Sequence, residues 1–249
     1  MKTNLVQKDY KVFEGSYNSK MPLLVNEDYK PLTAKDVMQY RINAFKSKDK
    51  DEFDFWLNHH WDTITGLVYY NGNLIVQPNS QLLLNVNPES KLDNGSLILT
   101  PEQFKELSKK HGVLKRKKVI SNKNLTKREV KEHPIWLKLA QDDKSLLNEY
   151  ADLIFSKAKE IYNYEENMGV YLPDDQKNPA LRSWCLGGLV RRSDANASYV
   201  LYGYARLFGV RAQNFGSILE KLVQEEGLKN PEEVRKAIKL YKITKELMQ

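Results

Sequence analysis

The chain has 249 residues, of which 41% are hydrophobic and 29% are charged, with a net charge of +7. This composition, together with four tryptophans, indicates a folded protein with a buried core and excludes a disordered polyampholyte. No run of residues approaches the roughly 20 apolar positions that a membrane-spanning helix needs, and a single cysteine, Cys185, excludes an internal disulfide.

The N-terminal stretch as far as Pro31 is polar, contains Gly15 and Pro22, and is predicted to be an irregular lead-in. A helix is expected to begin after Thr33, whose hydroxyl can accept hydrogen bonds from the first free amides. A second helix is predicted over residues 50–61, where apolar side chains recur at helical spacing.

Strand-like segments follow. Residues 67–70 and 73–77 flank Asn71 and Gly72, a pair typical of a two-residue β-hairpin turn. Residues 81–86 and 96–99 are predicted as two more strands, which gives a small antiparallel meander.

Helices are then predicted for most of the remaining chain. Thr100 and Pro101 are typical of a helix start, and Gly112 is typical of the residue after a helix end. Further helices are expected after Thr126, over 142–162, over 179–190, over 215–226 and over 231–247. The predicted fold class is α+β, with N-terminal helices and a small antiparallel β-meander followed by a mainly helical C-terminal part. The predicted boundaries are 1–112 for the α+β part, 113–125 for a basic linker and 126–249 for the helical part.

The positive charge is concentrated in one stretch, residues 105–131, called here the basic segment. It contains eleven of the 39 basic residues and two of the 32 acidic ones, a net of +9, so the rest of the chain sums to −2. Such a cluster favours contact with the phosphates of nucleic acid or another polyanion, with little sequence specificity because lysines predominate. The predicted contacts are Lys109, Lys110, Lys115, Arg116, Lys117, Lys118, Lys123, Lys127 and Arg128. A solvated linker that keeps the protein soluble is the alternative, and attraction to a membrane surface is disfavoured because no apolar face accompanies the charge.

A second cluster contains arginine without lysine. Between residues 178 and 219 there are five arginines and one acidic residue, Asp194, among several glycines and tyrosines. Guanidinium groups bind phosphates and carboxylates through paired donors, so Arg182, Arg191 and Arg192 are candidates for an anion pocket. Arginines that pair with acidic residues or stack on tyrosine are the structural alternative.

Three smaller features admit a chemical and a structural interpretation. His59 or His60 with Asp62 can form a general base, or His60 can belong to a buried helix face. Cys185 beside Arg182 can be a reactive thiol or a small buried hydrophobe. The pair at 174–175 can bind a hard cation or complete a turn. No motif identifies a catalytic residue, so enzymatic activity stays open, and no metal and no cofactor are expected.

Three short stretches resemble a group of uncharacterised archaeal hypothetical proteins. They are HPIWL at 133–137, MGVYLPDD at 168–175 and RLFGV at 206–210, and the likeness covers mainly residues 126–211. The group has no assigned activity, so the resemblance implies no function and no site residue.

The sequence thus favours a cytoplasmic protein, because no apolar signal-peptide core opens the chain. Its expected partner is nucleic acid or another polyanion, with no membrane partner. Two alternatives stay open. One is an enzyme or binding protein for a small phosphorylated or carboxylated ligand, and the other is a protein-interaction module.

Overall fold

A computed structural model describes residues 10–211. Its strands are β1 (Tyr10–Ser16), β2 (Tyr29–Pro31), β3 (Trp61–Tyr70), β4 (Asn73–Gln77), β5 (Leu92–Asp93), β6 (Ser96–Ile98), β7 (Leu114–Lys115), β8 (Val170–Tyr171), β9 (Ala180–Leu186), β10 (Ala195–Asn196) and β11 (Tyr204–Arg211). Its helices are α1 (Tyr17–Asn26), α2 (Ala34–Ser47), α3 (Lys50–Asn58), α4 (Gln81–Leu84), α5 (Pro101–His111), α6 (Lys127–Glu132), α7 (Pro134–Leu139) and α8 (Lys144–Tyr162). No helix among these is both long and apolar enough to cross a membrane.

All eleven strands belong to one sheet, whose main path runs β1-β11-β3-β9-β10-β8. β3 is antiparallel to β9 and parallel to β11, and β11 is antiparallel to β1. β4 forms a hairpin with β3, and β7 adds to the outer side of β4. The sheet therefore contains strands from both predicted parts of the chain, and the division into those parts stays a prediction.

Helices cover the two faces of this sheet. The larger apolar cluster contains side chains of α2, α3, α7 and α8, and the smaller contains side chains of α1 and α4. Alternate residues of β3 enter the two clusters, with Leu67 in the larger and Val68 in the smaller. Every residue of β9 and nearly every residue of β3 is buried. A strand buried on both faces does not need the alternation of polar and apolar residues that marks a half-exposed strand, and β9, with the sequence ALRSWCL, does not show it.

The prediction of a mainly helical C-terminal part is wrong. Residues 170–211 contain four strands, β8 to β11, and β9 and β11 lie in the middle of the sheet. Residues 179–190, predicted as a helix, contain β9, whose continuous burial removes the period-two signal. The helices predicted over 215–226 and 231–247 lie outside the described residues.

Three other elements also differ from expectation. Residues 81–86 contain the short helix α4, which Ser80 caps by accepting a hydrogen bond from the Leu83 amide at 3.3 Å. The expected irregular lead-in contains β1, α1 and β2. The linker region contains β7, whose Leu114 pairs with Leu74 of β4.

Predictions that rest on local backbone chemistry are confirmed. Thr33, Thr100 and Thr126 each cap a helix within a reciprocal capping box. Asn71 and Gly72 form the turn between β3 and β4 with φ values of 49° and 68°, a left-handed pair that favours these residue types. The long helix α8 lies within the predicted range 142–162.

A buried guanidinium joins the layer of helices to the sheet. Arg41 of α2 is 0% exposed and donates hydrogen bonds through all three of its nitrogens. Its acceptors are the carbonyls of Trp56 (3.0 Å), His59 (2.9 Å), Leu186 (3.3 Å) and Gly187 (2.9 Å) and the hydroxyl of Tyr150 (2.6 Å). These acceptors lie at the end of α3, in α8 and at the end of β9, so one side chain links three elements to α2.

We expect Arg41→Met to lower the free energy of unfolding by about 3 kcal/mol or more, because buried acceptors lose a charged donor. The matched control is Lys46→Met on the same helix, which breaks an exposed pair with Glu149 and should cost less than about 1 kcal/mol. Urea unfolding followed by tryptophan fluorescence measures both. Equal effects of the two substitutions would contradict the role assigned to Arg41.

Candidate binding surface

The basic segment is distributed over α5, β7, a 3-10 helix (Arg116–Lys118) and α6. Four of its nine predicted contacts lie within 4.0 Å of a carboxylate. The pairs are Arg116–Asp175 (3.7 Å), Lys123–Glu129 (3.3 Å), Lys127–Asp152 (3.3 Å) and Arg128–Glu132 (4.0 Å). Lys109, Lys110, Lys117 and Lys118 have no ion pair within residues 10–211. Much of the positive charge of the basic segment is thus offset by nearby carboxylates. Contact of this segment with nucleic acid stays a prediction.

Arg182 of β9 has an internal set of partners. It is 7% exposed, donates from Nε to Ser96 Oγ at 2.7 Å, and donates from its other nitrogens to the carbonyls of Asn94 and Ser198. These bonds fix the loop before β6 and the segment after β10 to the central strand.

Arg191 and Arg192 have separate partners from Arg182 and from each other. Arg191 is exposed and donates to the Tyr199 hydroxyl at 3.3 Å. Arg192, with φ of 58°, donates to the Glu166 carbonyl at 2.9 Å and stacks on Tyr164 at 4.0 Å. The anion pocket expected from the three arginines stays a prediction.

The acidic pair at 174–175 takes part in a structural contact. Asp175 accepts a hydrogen bond from the Gly72 amide at 2.8 Å and lies 3.7 Å from Arg116. Within residues 10–211 no group of three or more His, Cys, Asp or Glu side chains is arranged to hold a metal ion.

A buried polar cluster lies where β3, β9 and β11 meet. Asp62 accepts a hydrogen bond from the Arg206 amide at 2.8 Å and interacts with the Cys185 thiol. Burial raises the pKa of Asp62 from 3.8 to about 7, although these hydrogen bonds oppose the shift. Burial and the nearby carboxylates of Asp62 and Asp194 raise the pKa of Cys185. The thiol is therefore held in its neutral form, as the interpretation of Cys185 as a small hydrophobe requires.

His60 lies between this cluster and the solvent. Its Nε2 is 4.0 Å from Asp62 Oδ2, and burial, together with the charges of Arg206 and Arg191, lowers its pKa. The ring is therefore neutral at pH 7, and its centroid lies 6.0 Å from that of Tyr204. His60 follows the end of α3, so the expected helix face does not include it.

The most exposed large apolar side chains are concentrated in one segment. Within residues 10–211, Tyr204 (61%), Tyr202 (58%) and Val190 (55%) exceed all others in exposure, and Tyr199 is 40% exposed. Exposed Arg191 lies in the same chain segment and contacts Tyr199, and the five exposed residues of this segment are called here the tyrosine surface: Val190, Arg191, Tyr199, Tyr202 and Tyr204. All five lie between β9 and the first residue of β11.

Buried residues lie among these exposed ones in the sequence and hold the backbone in place. Leu189, Ala195 and Ala197 are 0% exposed, and Leu201 is 1% exposed. The amides of Ala195, Ala197 and Leu201 donate to the carbonyls of Gly169 (2.8 Å), Tyr171 (2.9 Å) and Gly95 (2.8 Å). The segment is thus a well-supported loop rather than a free one.

Gly188 lies at the start of this segment, where the backbone passes close to the end of α3. A Cβ at position 188 would collide with the carbonyl of Asn58 at the end of α3. Only glycine lets the chain leaving β9 pass this close to another backbone. The Gly187 carbonyl, one residue earlier, accepts from Arg41.

The fold is similar to one known from a solved structure. A solved chain described as "Accommodation of massive sequence variation in Nanoarchaeota by the C-type lectin fold" is similar, with a TM-score of 0.64 and 17% identity. The match covers 83% of this chain and 99% of the other. This chain has the C-type lectin fold. No protein-family model matches the sequence, and no curated protein does.

In this C-type lectin fold, the tyrosine surface belongs to the segment that joins β9 to β11. The similarity extends to the fold alone, and the resemblance to archaeal hypothetical proteins stays a prediction. Two features of the surface were not predicted from the sequence: the exposure of the tyrosines and the support from Arg41. For Arg41 there was a signal, because it lies four residues after Val37, on the apolar stripe of α2.

We expect the contributions of Asp62 and Asp194 to stability to fall as pH rises from about 4 to about 7. Asp62 binds its proton more tightly in the folded state, with a pKa of about 7, and Asp194 behaves similarly with a pKa of about 6. A group with a raised acidic pKa destabilises the folded state once it ionises. Asp62→Asn should therefore gain at least about 1 kcal/mol relative to the natural protein between pH 5 and pH 8. Urea titrations at both pH values measure the difference, and a pH-independent difference would argue against a buried, protonated Asp62.

Cys185 should resist thiol reagents in the native state. The thiol is 1% exposed and its pKa is raised, so both access and thiolate formation are suppressed. Maleimide labelling followed by mass spectrometry is expected to proceed only when urea unfolds the protein. Rapid labelling at neutral pH without denaturant would show a reactive cysteine instead.

Proposed function

We propose that this protein is a binding protein that holds a protein partner on the tyrosine surface. The observation that carries the proposal is the concentration of exposed, amphipathic side chains in one rigidly supported segment, residues 190–204. Solitary exposed apolar residues are ordinary on a protein surface, whereas clustered ones mark a contact surface.

The chemistry of the surface suits protein recognition. Tyrosine and arginine are enriched among the residues that dominate binding energy in protein interfaces. Tyrosine offers a large contact area and a hydroxyl while losing little conformational entropy. Because the backbone beneath is already fixed, less ordering free energy is lost on association.

The charge of the surface indicates an acidic partner. Arg191 is exposed, and its Nη1 donates a long hydrogen bond to the Tyr199 hydroxyl at 3.3 Å. The acidic residue of the segment, Asp194, is largely buried, and burial raises its pKa to about 6. A partner that offers carboxylates around an apolar centre would complement both features.

The similar structure adds support of a general kind. Its description attributes to the C-type lectin fold an accommodation of massive sequence variation. In the present chain, the residues that support the segment are likewise buried, and they differ from the residues that are exposed. Binding specificity can thus reside in the side chains at the surface while the scaffold stays the same.

The nucleic-acid hypothesis has less support. Four of its nine contact residues are paired with carboxylates, and the similar structure is not described by nucleic-acid binding. The protein-interaction alternative is therefore preferred, with the tyrosine surface rather than the basic segment as the contact.

We expect the double substitution Tyr202→Ser and Tyr204→Ser to abolish specific partner capture while leaving the thermal midpoint nearly unchanged. Two central tyrosines contribute about 2 kcal/mol or more each when they are interface hot spots, so affinity should fall at least about 100-fold. The protein carrying a photo-crosslinker at position 199 is used to identify the partner in an extract of the source organism. Titration of that purified partner then measures the affinity.

The matched control is Leu23→Ser with Val25→Ser on α1, which removes two exposed apolar side chains elsewhere. This control should keep full affinity. The proposal fails if the crosslinked partner binds the tyrosine variant as tightly as the natural protein, or if the α1 variant loses affinity equally.

A further inference from the structure

A cavity of about 470 Å³ lies at the tip of the β3–β4 hairpin, and it shares no residue with the tyrosine surface. Its walls are Asn71, Gly72, Lys115, Arg116 and Lys117. The volume is in the range of small-molecule sites in proteins. Three of the five lining residues are cationic.

The backbone of this cavity is fixed by hydrogen bonds from two directions. Lys115 pairs with Asn73 at the edge of the sheet, and the Arg116 amide donates to the Gly72 carbonyl at 2.9 Å. The Gly72 amide in turn donates to Asp175 at 2.8 Å. The three cations are therefore carried by an edge strand and a 3-10 helix whose positions are defined, rather than by a free linker.

The cationic side chains keep donors available. Lys115 gives one of its three N–H donors to Asn73 Oδ1 at 2.6 Å. Arg116 donates through Nη2 to the Pro173 carbonyl at 2.7 Å. That bond uses one N–H group of the guanidinium, which has several others. Lys117 is exposed and has no ion pair within the described part of the chain.

The charge balance indicates the kind of ligand. Lys115, Arg116 and Lys117 contribute three positive charges, and Asp175, 3.7 Å from Arg116, offsets one of them. The remaining charge of +2 matches a dianion. A phosphate monoester carries nearly two negative charges at neutral pH, whereas each phosphodiester of nucleic acid carries one.

We propose that this cavity binds the phosphate group of a small phosphorylated molecule. Lys115 and Lys117 hold the phosphate oxygens, and Arg116, oriented by Pro173 and Asp175, supplies further donors from the side of the cavity. Asn71 and Gly72 leave room at the hairpin tip for the rest of the molecule, since no atom of the described residues lies within 4 Å of a Cβ built on Gly72.

Isothermal titration at low ionic strength and pH 8 tests the proposal with three probes: inorganic phosphate, phenyl phosphate and dimethyl phosphate. The first two are dianions and should bind saturably, whereas the third is a monoanion and should bind at least about tenfold more weakly. Loss of one charge-assisted hydrogen bond is expected to weaken binding about tenfold, so Lys117→Gln should show that loss for phenyl phosphate. Lys110→Gln, on α5 and outside the cavity lining, removes an equal charge and should change little.

The proposal is overturned if phosphate and phenyl phosphate show no saturable binding. It is also overturned if Lys110→Gln weakens binding as much as Lys117→Gln, because the effect is then that of net charge. Tighter binding of a DNA oligonucleotide than of phenyl phosphate, with equal losses in both variants, would show a phosphodiester polyanion as the ligand instead. Thermal midpoints of both variants, which alter exposed side chains, verify that each is folded.

Discussion

The Arg41 guanidinium holds together the part of the molecule from which the proposed binding surface extends. It lies wholly within the core and donates to four carbonyls and a hydroxyl. A buried cation is costly unless its donors are satisfied, and here oriented peptide dipoles satisfy them. Two of these carbonyls, those of Leu186 and Gly187, lie where β9 ends and the loop begins. The path of that loop therefore depends on an interaction made by a helix far away in sequence.

Within the segment between β9 and β11, some residues support the fold and others are exposed to a partner. Its buried members pack or donate to neighbouring backbone, whereas its exposed members are the tyrosines, Val190 and Arg191. Substitution of an outward side chain removes no core contact, so the surface can vary without loss of the fold. Asp62, buried where β3, β9 and β11 meet, gives the scaffold a pH-dependent contribution to stability, because burial raises its pKa to about 7.

Sequence reasoning succeeded where the physical cause was local. Helix caps at Thr33, Thr100 and Thr126 and the turn at Asn71 and Gly72 depend on a few adjacent residues, and all were predicted correctly. It failed for β9, because a strand buried on both faces shows no alternation and resembles a buried helix. It also could not show which basic residues of the basic segment lie near a carboxylate, since partners such as Asp152 and Asp175 come from other parts of the chain. The tyrosines near Arg191 were visible in the sequence, but their exposure follows from long-range packing.

The central claim is that the loop between β9 and β11 is held rigidly before any partner binds. Native-state hydrogen exchange at the amides of Ala195, Ala197 and Leu201 tests it most directly, because each donates to a carbonyl outside its own segment. We expect protection factors close to those of the β3 and β9 amides. Exchange at the rate of an unstructured peptide would contradict a preformed surface, and with it the account of how this fold presents its tyrosines.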